Sequence, residues 1–295
     1  MNVRSFAEDD FTAVAALLQA DERSHGRPTV IGVNEIHEWT RLSDLANDSW
    51  LYEDDEGPAA VGWVTVEGTV GSGVGVVHPR AKGRGLGAQL LDRSDGALGA
   101  REIEKIHQFV IGSDTAARAL LESRGYRDAR HFFEMAIELT ERPDAPALPI
   151  ETFTGEEDDA RAFHDALDEA FQDHWEHRGR GFDEWWNRRR ASPAYDPTLW
   201  FLVRDGDEIA ATCRNEGNRN GGGYVAAVGV RRPWRGKGYA KALLLHTFRE
   251  FWDPGMRRVT LGVDAESPTG ATHLYERVGM HVEAENVVYE KILER

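Results

Sequence analysis

A single cysteine, Cys213, stands in 295 residues, so no internal disulfide can form and no cysteine-based metal site can be built; no metal is expected. It lies in the strand-like run EIAATCRN and is expected to be a buried, neutral thiol. No uncharged apolar run approaches the roughly 18 residues needed to cross a bilayer, so no membrane span is predicted. The opening MNVRSFAEDDF has neither a basic leader with an apolar stretch nor a small-residue cleavage site, and a cytoplasmic location is the expectation. Positive charge is also scarce: 35 Lys and Arg face 51 Asp and Glu, a net charge of −16. A chain that binds nucleic acid nonspecifically needs a basic surface to displace phosphate counterions, and this one lacks it. The acidity reads first as solubility and mildly favours cationic acceptors.

The length suits two domains better than one, because single cores stop growing above about 250 residues. Internal repetition supports this. Val77 to Leu91, VHPRAKGRGLGAQLL, resembles Val230 to Leu244, VRRPWRGKGYAKALL, and Gly85 then matches Gly238 at a shift of 238 − 85 = 153. LLESRGY (Leu120 to Tyr126) answers LYERVGM (Leu274 to Met280), with Gly125 matching Gly279 at 279 − 125 = 154. Between the halves, Glu141 to Pro149 holds three prolines and several charges, an extended segment suited to a linker. The predicted domains are therefore 1–140 and 150–295, joined by 141–149.

Each half follows the same coarse plan. A short strand (Val3 to Phe6; Ile150 to Phe153) leads to a helix whose core face is Val14, Leu17 and Leu18 in the first half and Phe163, Leu167 and Phe171 in the second. Thr154 with Glu157 reads as a capping box. After a variable stretch come strands joined by acidic or glycine turns, such as Asp205-Gly206-Asp207, and then a strand running into a glycine-rich turn and a long helix. A further strand (Arg257 to Val263), a helix (Thr269 to Arg277) and closing strands complete an α+β plan. Trp39, Trp50 and Trp63 read as core.

The chemistry concentrates at Arg235-Gly236-Lys237-Gly238-Tyr239-Ala240, placed after the strand YVAAVGV and before an apolar helix beginning near Lys241. Such a turn lets backbone N–H groups converge at a helix N-terminus, where an anion is favoured, and Arg231, Arg232, Arg235 and Lys237 add positive charge. A Walker loop needs a Gly-Lys-Ser/Thr ending that is absent, and a dinucleotide fingerprint needs Gly where Lys241 stands. The remaining pattern, Arg/Gln-x-x-Gly-x-Gly/Ala, is that of the GNAT superfamily, and Arg235-x-x-Gly238-x-Ala240 fits it.

From Pro149 onward, VGVRRPWRGKGYAKALL and VDAESPTGATHLYERVGM resemble the central and following motifs of GNAT N-acetyltransferases, and the tandem layout resembles mycothiol synthase-like two-domain acetyltransferases. The resemblance implies two tandem domains, each a splayed mixed sheet flanked by helices, with acetyl-CoA as co-substrate. It implies that Val228, Gly229 and Val230 pair with the pantetheine arm while Arg235 and Gly236 to Lys241, including Lys237, Gly238, Tyr239 and Ala240, hold the pyrophosphate. Ser267 stands where relatives carry an Asn that touches the coenzyme. In the first half Val77, Lys82, Gly83, Arg84, Gly85, Leu86 and Gly87 occupy the matching places, although Lys82 departs from the usual Arg or Gln.

Acetyl transfer needs a neutral amine and a proton for the departing thiolate. By the same resemblance Tyr275, in LYERVG, is the catalytic acid. Leu121 fills that place in the first half and cannot donate a proton, so that half is expected to be degenerate. The base has no assignment; Glu216 and Asp264 are candidates, and Asp173, His174 and Trp175 lie where acceptors are bound in this fold. The expected function is transfer of acetyl from acetyl-CoA to a primary amine of a small molecule, in a ternary complex, by the second half. The alternatives are a non-catalytic acetyl-CoA-binding sensor, which has no use for Tyr275, and mycothiol synthesis itself.

Overall fold

The structure, a computed structural model, describes residues 1–27, 31–144, 146–219 and 221–293; Ala145, in the expected linker, lies outside the described residues. In chain order the first half carries β1 (Asn2–Arg4), α1 (Phe11–Ser24), α2 (Val33–Thr40), α3 (Leu45–Asp48), β2 (Ser49–Asp54), β3 (Gly57–Glu67), β4 (Val70–Val77), α4 (Leu86–Gly99), β5 (Lys105–Ile111), α5 (Thr115–Ser123) and β6 (Arg127–Glu138). The second repeats it with β7 (Glu151–Thr152), α6 (Glu157–Phe171), α7 (Phe182–Arg190), β8 (Trp200–Asp205), β9 (Glu208–Arg219), β10 (Gly222–Val230), α8 (Tyr239–Trp252), β11 (Arg258–Asp264), α9 (Ala271–Arg277) and β12 (His281–Ile292).

Two compact units result, and their limits fall inside strands. The first comprises Met1–Phe132 with Ala284–Arg295, the second Phe133–Glu283. The division passes through β6 and β12 and not through residues 141–149. In the first unit the strand beside β5 is the second part of β12, paired antiparallel from Asn286 with Ile111 to Ile292 with Lys105. In the second unit the later part of β6 lies beside β11. The repeat explains how this arises: β6 and β12 are equivalent strands of two copies, so either can complete either sheet.

The first unit's order is β1-β2-β3-β4-β5-β12 and the second's is β6-β11-β10-β9-β8-β7. β1 to β4, β5 with β12, and β7 to β10 pair antiparallel, whereas β4 with β5 and β10 with β11 pair parallel. That parallel contact is brief. β4 and β5 pair only from Val70 with Lys105 to Gly73 with Gln108, and β10 and β11 only at Gly223 with Val259 and Tyr224 with Thr260. Beyond those points each pair of strands diverges, giving the splayed sheet expected of both halves. The β9–β10 register also shifts between Val225 and Ala227, a bulge that turns the strand just as it leaves β11.

The second unit has a core on each face of its sheet. On one face Phe201, Cys213, Val225, Leu243, Phe248, Val259, Leu261 and Tyr275 pack beneath α8 and α9. On the other, Phe153, Phe163, Trp185, Trp186 and Trp200 form an aromatic cluster under α6 and α7, with Phe153 stacked on Trp200 at 5.2 Å between centroids. The period of two along β8 sends Trp200 to one face and Phe201 to the other. Phe182, Trp185 and Trp186 are thus core residues that dock α7. Cys213 is fully buried, and burial raises its thiol to about 11.

Two local expectations are corrected. Thr154 does not form a box with Glu157: α6 starts at Glu157, and the Thr154 N–H and hydroxyl both donate to Asp159 Oδ2 at 3.0 Å. Asp159 fits this better because it is the third residue of the helix. Trp39 is not core; it is exposed on α2, whose buried side is carried by Ile36 and Thr40, while Trp63 is buried.

Candidate active site

In the second half, β10 ends at Val230, a short 3-10 turn covers Arg232–Trp234, and α8 starts at Tyr239. Between them Gly236 and Gly238 adopt φ of +79° and +85°, a region closed to side-chain-bearing residues at little cost only for glycine. Nothing lies within 4 Å of where a Cβ would stand on either. The loop backbone is therefore an open cradle at a helix N-terminus, which fits a pyrophosphate. Gly83 and Gly85 repeat it in the first half with φ of +79° and +76°, the same open space, and α4 beginning at Leu86, followed by Gly87.

The positive residues around the second loop behave differently from the sequence expectation. Each is set against a carboxylate: Arg231 on Glu169 at 2.6 Å, Arg232 and Arg235 on Asp173 at 2.5 and 2.9 Å, and Lys237 at 4.0 Å from Asp205. Arg235 also donates to the carbonyls of Val230 at 3.2 Å and Ala170 at 3.2 Å. It braces the cradle to the end of α6. Asp173 is correspondingly turned to the loop, where hydrogen bonds from Arg232 and Arg235 lower its carboxyl to about 2. In the first half Lys82 reaches inward, its Nζ lying 2.8 Å from Asp21, 3.6 Å from Asp114 and 3.0 Å from His25 Nε2. Arg80 and Arg84 both bind Asp54 at 2.8 Å.

Val228 and Val230 side chains pack toward the α8 core, while Gly229 lies under α6, where a Cβ would come 2.8 Å from that of Ala170. Glycine is what lets α6 approach. Lys241 is exposed on the first turn of α8, beside half-buried Ala240, and Tyr239 packs on the core. Ser267 is half-buried and exchanges a 2.9 Å hydrogen bond with Thr269.

Tyr275 is held by α9 at the core's edge, 7% exposed. Burial, reinforced by Cys213 and Tyr224, raises its phenol well above the ordinary value, so it stays protonated at any working pH. Its hydroxyl has no hydrogen-bond partner among the described residues. Leu121, its counterpart on α5, is buried among apolar side chains of the first unit.

On the α6 side, His174 stacks on Phe171 with ring centroids 4.2 Å apart. Burial lowers its pKa against the pull of Asp264, so the imidazole is neutral at pH 7. Trp175 is half-buried in the same segment, and Glu176 has φ of +52°, an uncommon conformation for a side-chain-bearing residue. Asp264 is buried and accepts from the Glu266 N–H at 3.0 Å. Glu216 lies within β9. It is buried between Arg214 at 2.8 Å and Arg219 at 2.7 Å; burial pushes its pKa up, and the two guanidiniums outweigh that and bring it below the usual value. Sequence reasoning passed over Arg214, Arg219, Tyr224 and Thr260. The signal was the two-residue spacing of Thr212, Arg214 and Glu216 along a strand, which aims three polar groups at one face.

Residues 160–280 match the model of the acetyltransferase (GNAT) family. Along its length the chain is 31% identical over 302 residues to a mycothiol acetyltransferase of Thermobispora bispora, covering 96% of each. The chain belongs to the GNAT acetyltransferase family. This acetyltransferase is also 33% identical to the crystal structure of a GCN5-related N-acetyltransferase from Sphaerobacter thermophilus, with a TM-score of 0.86 over 100% of this chain and 96% of that one. A tandem GNAT protein from the clavulanic acid biosynthesis pathway, 13% identical with a TM-score of 0.72, shares the fold over 100% of this chain and 99% of its own. The GNAT acetyltransferase uses acetyl-CoA as its co-substrate. Among the described residues no helix is long and apolar enough to cross a membrane.

Proposed function

We propose that this acetyltransferase moves acetyl from acetyl-CoA to a primary amine of a small molecule, and that the second half does the chemistry. The observation that carries this reading is the contrast between Tyr275, a protonated phenol without a hydrogen-bond partner among the described residues, and the apolar Leu121 at the matching place. The open cradle at Gly236 and Gly238 and the divergence of β10 from β11 after Tyr224 give this half a place for the coenzyme, as their counterparts do in the first.

In the reaction the C–N bond forms as the C–S bond breaks. A primary ammonium supplies two protons, of which one ends on the thiol of coenzyme A and one leaves to solvent. Free primary amines hold their proton to about pH 10, so a base is required. We assign that role to His174, which burial keeps neutral and whose ring nitrogens have no partner among the described residues. Glu216 is unsuited because two arginines hold it as the anion. Tyr275 is a weaker acid than a thiol, whose ordinary pKa is about 8.5, so its work is to donate a hydrogen bond to the developing thiolate.

An acceptor of the mycothiol type is the second reading, favoured by a likeness that spans 96% of this chain and of the Thermobispora bispora relative. The test of which half works is a matched pair, Gly238→Val and Gly85→Val, assayed for acetyl-CoA binding and turnover. The reading expects loss of turnover in G238V alone. Loss in G85V alone would transfer the chemistry to the first half.

A further inference from the structure

The acceptor is open in the reading above, and the following inference rests on that reading. Thr212, Arg214 and Glu216 project from one face of β9 at two-residue spacing. That face lies under α6, since Gly229, opposite Thr212 on β10, is the residue whose Cβ would strike Ala170. Tyr224 stands opposite Glu216, and Thr260 on β11 stands beside Tyr224 at the last pairing before the strands part. Gly262 continues the surface, with the Tyr224 hydroxyl 3.6 Å from where its Cβ would be. A continuous polar floor thus runs from Thr212 through Glu216 and Tyr224 to Thr260, at the mouth of the splay.

Three atoms of this floor are sealed from water and have no hydrogen-bond partner among the described residues: Thr212 Oγ1, Thr260 Oγ1 and Arg214 Nε. Arg214 is 8% exposed, and only its Nη1 is used, on Glu216 at 2.8 Å. Its guanidinium is seated over the Trp200 ring at 5.9 Å, which fixes its plane. A buried N–H left unpaired is costly, and an arginine whose Nε–Nη2 edge is unpaired presents two parallel donors with the spacing of a carboxylate. Arg214 and Arg219 both bind the carboxylate of Glu216.

We propose that the acceptor amine also carries a carboxylate, received on the Nε–Nη2 edge of Arg214, with the hydroxyl of Thr260 bonding one of its remaining polar atoms. Arg214 is then the specificity-determining residue, and the acceptor is of amino-acid type. An acceptor carboxylate differs from the cationic acceptor that the whole-chain charge suggested, because net charge does not describe a buried site.

The full-length protein is assayed by thiol release with a panel of amino acids and short carboxylated amines, each paired with its carboxamide and its decarboxylated analogue. O-phosphoethanolamine and an aminated sugar thiol of the mycothiol type are included. Acetyl-CoA binding is measured separately by calorimetry. The expected result is release with carboxylated members, their KM lower than that of the paired carboxamide by roughly tenfold to a hundredfold, as befits a charge-assisted pair, with kcat changing less. Arg214→Gln should raise KM for the carboxylated member toward that of its amide. Arg214→Lys, which keeps the charge and loses the fork, should fall between. Thr260→Val, nearly isosteric, guards against misfolding as the cause: it should raise the melting temperature, because a buried unpaired hydroxyl is removed, while raising the acceptor KM. Preference for amides, for the phosphate or for the sugar thiol overturns the inference, as does release with no member while acetyl-CoA binds. Absence of acetyl-CoA binding instead sinks the reading of the site itself.

Discussion

Arg235 and Asp173 form a 2.9 Å ion pair that ties the glycine cradle to the segment following α6. The first half has an equivalent in Lys82 and Asp21, 2.8 Å apart. In both halves the first basic residue of the loop serves as a strut, and the anion-binding work falls to the backbone.

That strut has a defined pH range. The Asp173 carboxyl is lowered to about 2 by Arg232 and Arg235, against about 3.9 in an unfolded chain. A depressed carboxylate stabilises the fold above its unfolded pKa and loses that contribution as pH falls through its folded pKa. Amide exchange at Gly236 to Tyr239 should therefore be unchanged from pH 7 to about 4 and accelerate, relative to intrinsic rates, between about 4 and 2. Asp173→Asn should show the fast exchange at every pH. Equal protection in the variant would mean that the ion pair does not hold the loop.

Acetyl-CoA affinity should follow the cradle. A valine at Gly238 must adopt φ near +85°, which costs about 1–2 kcal/mol, and its Cβ meets no atom within 4 Å, so the folding penalty should be small beyond that. Its side chain occupies the space the phosphates need. The apparent Kd for acetyl-CoA in G238V should rise by at least about tenfold, with a melting temperature only a few degrees lower. An unchanged Kd would place the coenzyme elsewhere.

His174 predicts the acid limb of the rate profile. Because burial lowers its pKa, the imidazole is the free base above the ordinary histidine value of about 6.5 and remains so somewhat below it. The kcat/KM of the wild type should hold steady through pH 7, with its acid limb below the ordinary histidine value, and fall tenfold per pH unit once His174 is protonated. His174→Gln should lose about 10²-fold or more and show no such limb. A limb that persists in the variant would belong to another base.

Much of the site was legible in the sequence because it is local. The glycine turn, its position between β10 and α8, and the Tyr275 segment occupy short continuous stretches whose residue types are dictated by backbone conformation. The repeat was legible for the same reason. What was not legible depends on distance in space. That Asp173 belongs to the loop follows from a contact with Arg232 and Arg235 across about 60 residues of chain, consistent with the 59- and 62-residue separations of those bonds. That Glu216 is buried was not legible, because its exposure depends on α6 packing over β9, which no nearby residue shows. The division of the units inside β6 and β12 was hidden by the repeat itself, since two like strands carry no label saying which sheet each completes. Trp39 misled because a tryptophan's size favours burial on average, and α2 spends its buried side on Ile36 and Thr40.

The most direct test of the central claim is the chemical step in Tyr275→Phe, measured in a single turnover with acetyl-CoA prebound and a competent amine in excess. Phenylalanine keeps the ring and its packing and removes only the hydroxyl. The account predicts a fall of at least about 30-fold in the rate of acetyl transfer, with acetyl-CoA affinity unchanged, because the leaving thiolate loses its donor. A rate equal to wild type in that experiment would contradict it and leave Tyr275 as a packing residue at the edge of the α9 core.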